Sequence, residues 1–173
     1  MLPLVAPEDF KGTLRIAYEE EAVRPRLCKL IAAMQPELLR EYFGSTFAIW
    51  LAAQLATNPI PAPVSELVNG VQWTGTDGQS YFFIGLKEIL KRDIYYRWKE
   101  ETDSYSSTMG ESKPNKENAS TISPRDRMVR TWNEKIDLME SMYYMLTYRE
   151  SNGIKVYPDY CAQRTRRINA FDL

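Results

Sequence analysis

The chain contains no histidine. Imidazole is the usual general base near neutral pH and the commonest metal ligand, so Ser-His-Asp and Cys-His catalysis are both excluded. Cysteine is nearly as scarce. Cys28 and Cys161 are the only two in 173 residues, too few for a four-thiolate zinc site and without a histidine to complete a mixed one. Glycine-rich phosphate loops are missing as well, because GTDG at positions 75–78 is shorter than either common fingerprint. Glu19, Glu20 and Glu21 are adjacent and do not share a helical face, so they do not make a carboxylate metal centre. No catalytic residue, metal or cofactor is therefore expected. Residues 42–65 carry no charge, but their apolar part is about 15 residues, short of the roughly 20 that a spanning helix needs. A buried helix, not a membrane span, is expected there. The opening MLPLVAPEDFKG lacks the basic start and apolar stretch of a signal peptide, so reduced thiols and a cytoplasmic location are expected.

What is present is ordinary globular chemistry with extra rings. Hydrophobic residues make up 44% and charged residues 26%, whereas aromatics reach 12% with eleven tyrosines and four tryptophans. Net charge is -1, so the chain as a whole is not an evident polyanion binder. Residues 86–135 nevertheless hold eleven basic against nine acidic side chains, while residues 1–66 hold six against eight.

Apolar periodicity predicts an all-α helical bundle with a mobile polar loop between long helices and minor or no strand content. Two units are expected, residues 1–63 and 64–173, separated by the prolines at 59, 61 and 63 or merged into one domain. TLRIAYEEEAV reads as a short helix, and RPRLCKLIAAMQ as a second. Pro36 starts a third that runs to about Asn58. A hairpin across residues 71–83 is conceivable, but Ser80 reads better as the N-cap of a helix over 81–101. Residues 103–123 have almost no large apolar side chain and are expected to be disordered. Ser123, Pro124 and Asp126 then signal a helix start. Met128, Trp132, Ile136, Met139, Tyr143 and Leu146 follow at steps of three and four, until Asn152 and Gly153 end the helix. A final short helix is expected in DYCAQRTRRINAFDL.

The stretch KRDIYYRWKEE mixes cations with rings. On a helix, Phe83, Leu86, Leu90 and Ile94 form a core seam, whereas Lys87, Lys91, Tyr95 and Lys99 stand in a separate column with Arg92 beyond it. Three readings of this column stay open. One is a solvated helix side whose lysine stems cover apolar neighbours. Another is a strip that tracks a phosphate backbone, with Tyr95 or Trp98 against sugar or base. The third is a protein interface. Arg125, Arg127 and Arg130 cluster where a helix begins, although cations there oppose the helix dipole. Arg164, Arg166 and Arg167 add a third basic group near the end of the chain.

A histidine-free helical chain of this size with basic aromatic faces resembles the small subunit of a multi-subunit CRISPR effector, in particular the helical small subunit of type I-D complexes. The resemblance implies a non-catalytic subunit, packed beside other subunits and copies of itself, that touches target or displaced DNA, or RNA, through its backbone. Base pairing supplies most sequence recognition in such assemblies, so a subunit of this kind needs no base-reading motif. The alternative expectation is a helical protein-interaction module that binds no nucleic acid, with the aromatic and methionine surfaces as its adhesive.

Overall fold

The computed structural model describes residues 3–103, 124–161 and 167–169. Among them are five helices and one small sheet: α1 (Val23–Phe43), α2 (Ser45–Leu55), α3 (Ala62–Asn69), β1 (Val71–Thr74), β2 (Ser80–Phe83), α4 (Leu86–Asp103) and α5 (Pro124–Ser151). The protein is mostly helical but not purely so, because β1 and β2 pair antiparallel with Trp73 opposite Tyr81.

The helix expected from Tyr81 therefore begins five residues later. Aromatic residues at 81–83 suit a pleated, half-buried surface, and the chain turns into α4 at Gly85, whose φ is +106°. A Cβ on Gly85 would lie 2.5 Å from the Val68 carbonyl oxygen, and one on Gly70 would lie 2.5 Å from that of Phe83. The two glycines thus let the segments at the open end of the hairpin pass against each other.

Pro36 does not start a helix either; α1 runs through it. The carbonyl that its missing N–H would have served belongs to Ala32, which is exposed, so water can take that place. The break falls instead at Gly44, with φ +85°, where α1 ends and α2 begins. The helix expected over residues 13–23 is absent. Leu14 and Ile16 are buried while Arg15 and Ala17 are exposed, which is the two-residue alternation of extended chain after a single 3-10 turn at Gly12–Leu14. The final helix and the disordered segment expected at 103–123 fall largely outside the described residues.

One core cluster gathers side chains from all five helices and β2, including Phe10, Leu39, Phe47, Val64, Phe83, Leu90 and Met142, with Val71 and Trp73 of β1 packed against it. Its centre is α4, which packs on α5, α1, α3 and the 3-10 turn at Gly12–Leu14. Ile89, Leu90, Asp93, Ile94, Tyr95, Tyr96 and Trp98 are all buried, so this helix has far less solvated surface than a one-sided amphipathic helix would have. Helix α5 lies antiparallel to it, since Arg92 meets Glu134, Asp93 meets Lys135 and Tyr96 meets Trp132. Buried Met139, Met142, Met145 and Leu146 complete the α5 seam.

Candidate interaction surfaces

Two lysines of the α4 column are spent inside the molecule. Lys87 pairs with Asp9 at 2.8 Å and Lys91 with Glu88 at 2.7 Å. Arg92 binds Glu88 at 3.0 Å, Glu134 at 3.2 Å and the Glu88 carbonyl at 3.1 Å. Tyr95, expected on the solvated side, is fully buried because α4 is enclosed on several faces. Burial opposes ionisation of Glu88, but hydrogen bonds from Lys91 and Arg92 and their charges outweigh it and hold its carboxyl below the usual range. Asp9 behaves alike: burial opposes its charge, and Lys87 with the Ala6 N–H keeps its carboxyl low. These cations brace α4 against its neighbours.

Beneath them lies a buried polar junction of α1, α4 and α5. Lys135 donates to Asp93 at 2.8 Å, and the Tyr42 hydroxyl donates to the same Oδ2 at 2.7 Å. The Lys135 ammonium also sits 3.3 Å from the centre of the Trp132 ring. Burial, then the Asp93 charge, push the Tyr42 hydroxyl well above its ordinary range, so it stays a donor. Arg97 reaches only to 3.7 Å from Asp93 Oδ1, which is too long for a hydrogen bond.

The other basic residues separate by position. Arg125 occupies the first turn of α5. Arg127 and Arg130 are exposed, and among the described residues neither makes an ion pair. The antiparallel register sets them at the same end of the molecule as Arg97 and Lys99. Lys99 lines a hollow with Trp98 and Arg15. Arg167 is exposed and pairs with Asp137, while Arg164 and Arg166 lie outside the described residues. Acidic side chains share this end, among them Glu100, Glu101 and Asp126, so it is not a uniformly basic patch.

A second surface was not legible in the sequence. Trp73 and Tyr81 stack at 5.6 Å on the inner face of the hairpin, and Tyr144 and Tyr148 of α5 approach Trp73 at 6.1 Å each. Tyr148 donates to the Thr74 carbonyl at 2.9 Å and Ser141 to that of Phe82 at 3.3 Å. Tyr81 donates to Asp77 at 2.6 Å; that bond pushes its hydroxyl up and holds the carboxyl low. Tyr144, 5.0 Å from Tyr81, is 47% exposed at the edge of this bed, and Phe82, on the outer face of the hairpin, is 62% exposed. Finding it requires the register that pairs Trp73 with Tyr81, which composition does not supply.

Among the described residues no three acidic or cysteine side chains converge as a metal centre requires, and both cysteines are exposed thiols. No helix among them is long and apolar enough to cross a membrane. Comparison with protein-family models, curated proteins and solved structures returns no match.

Proposed function

We propose that the chain is a non-catalytic interaction subunit that docks a partner protein on the face shared by the hairpin and α5. The carrying observation is that Tyr144 is exposed beside the Trp73–Tyr81 stack and Phe82 is exposed on the outer face of the same hairpin, whose residues 71–85 contain no lysine or arginine. Exposed aromatics on a rigid bed are typical anchors of protein interfaces. A phosphate backbone would find no counter-charge on these residues. The test is purification from the native source, comparing the parent with a Phe82→Ser, Tyr144→Glu double variant. The parent is expected to retain a stoichiometric protein partner and the double variant to lose it, while a Lys87→Gln, Lys91→Gln variant retains it. Retention by the double variant overturns the reading.

A second reading, contact with a nucleic-acid backbone, is supported by Arg127 and Arg130, which stand exposed beside the end of α4 and make no ion pair among the described residues. In a complex of the kind the sequence resembles, a subunit would hold neighbouring subunits or its own copies with one face and nucleic acid with another. Binding of single and double strands by the parent, across a salt series, tests this reading. It fails if affinity is unchanged when both arginines become glutamine.

A further inference from the structure

We infer that the groove beside the N-terminal segment is a site for a ligand carrying adjacent phosphate groups. Two shallow hollows, of about 270 and 410 Å³, meet at Arg15. Lys11, Tyr18 and Glu19 line the first; Trp98 and Lys99 line the second. This surface is separate from the hairpin face and does not depend on the reading given to it.

The backbone explains why the cations stand there. Leu14 and Ile16 go into the core, and the two-residue alternation turns Arg15 outward. Gly12, with φ +62°, turns the chain, and nothing lies within 4 Å of where its Cβ would be, so the main chain is approachable. Among the described residues Lys11 and Arg15 make no ion pair, unlike Lys87 and Lys91 on the neighbouring helix. Lys11 and Arg15 line the two hollows together with one carboxylate, Glu19. Glu20 and Glu21 are exposed nearby but line neither hollow. Arg15 lines both hollows, and the planar fork of donors of a guanidinium suits oxygens from neighbouring phosphates better than a single monoanion. Such phosphates come either from a free polyphosphate or from a nucleic-acid backbone.

Calorimetric titration of the full chain at low salt with inorganic tripolyphosphate, and separately with a single-stranded oligothymidylate, tests the site. Arg15→Gln is expected to weaken binding at least tenfold. Lys29→Gln serves as control, because Lys29 is an exposed cation on α1 that lines neither hollow; it is expected to change affinity less than twofold. Lys11→Gln is the second groove variant should Arg15→Gln lose its helical circular dichroism. Binding of tripolyphosphate alone assigns a small ligand, and tighter binding of the oligonucleotide assigns the backbone. The proposal is overturned if the parent binds neither probe, or if Lys29→Gln and the groove variants weaken binding equally, since the attraction would then be diffuse.

Discussion

Asp93 and Lys135 carry the sharpest energetic consequence of any two side chains here. They are 3% and 2% exposed, and Asp93 has besides Lys135 only the more distant Arg97, at 3.7 Å, as a counter-charge among the described residues. Removing one partner of a buried ion pair typically costs about 3–5 kcal/mol, because the remaining charge is left in a medium that solvates it poorly. Lys135→Met is expected to lower stability by that amount in urea unfolding. Combining it with Asp93→Asn removes the stranded charge and leaves Tyr42 an acceptor, so the double variant is expected to regain at least half of the loss. A double variant no better than the single one would show that the lysine acts by packing alone. The exposed side of α4 has a pH signature instead. The carboxyls of Asp9 and Glu88 are both held low in the folded protein. Their contribution is present above the ordinary carboxylate value and is lost as pH falls from about 4 through the lower folded values. Thermal stability is expected to be flat between pH 5 and 7 in their respect, to fall below about pH 4, and to fall less steeply in Asp9→Asn, Glu88→Gln.

At the level of elements, the hairpin depends on two glycines. Gly85→Ala places a Cβ against the Val68 carbonyl at a backbone angle that alanine rarely adopts. Backbone strain alone is worth about 1–3 kcal/mol, and the contact adds to it. The substitution is expected to lower the melting temperature and to detach the hairpin, read as loss of the near-ultraviolet signal of stacked Trp73 and Tyr81. This element also marks the limit of what the sequence discloses. The α4 seam of Leu86, Leu90 and Ile94 is legible from spacing, as are Pro124 at the start of α5 and the α5 core through Ile136 and Met139, whereas Phe83, counted in the same seam, is buried from β2. Spacing does not reveal how many neighbours enclose a helix. Tyr95 looks solvated on a helical wheel and is buried because α1 and α5 both pack on α4. Lys87 looks available for a ligand, and its partner Asp9 lies far off in the sequence. Helix signals also overrode a competent hairpin at 71–83, since the evidence for strand pairing there is a cross-strand match and not a run.

At the level of the whole molecule, the antiparallel register of α4 and α5 brings the end of one helix level with the start of the other. Yet residues 104–123 join them, and connections between antiparallel helices commonly need only about 2–8 residues. The join carries Tyr105, Met109 and Ile122 as its only large apolar side chains, a composition with little apolar surface to bury. Loop-closure entropy grows with the logarithm of length, by about 0.6 kcal/mol per doubling. Replacing residues 104–123 by a five-residue Gly-Asn-Ser linker is therefore expected to leave the protein folded and to raise its unfolding free energy by about 1 kcal/mol. A drop instead would mean that the native join packs on the bundle. The same geometry makes this junction the natural place to cut the chain and rejoin it elsewhere, or to insert a reporter domain, at the end of α4 and α5 away from the hairpin.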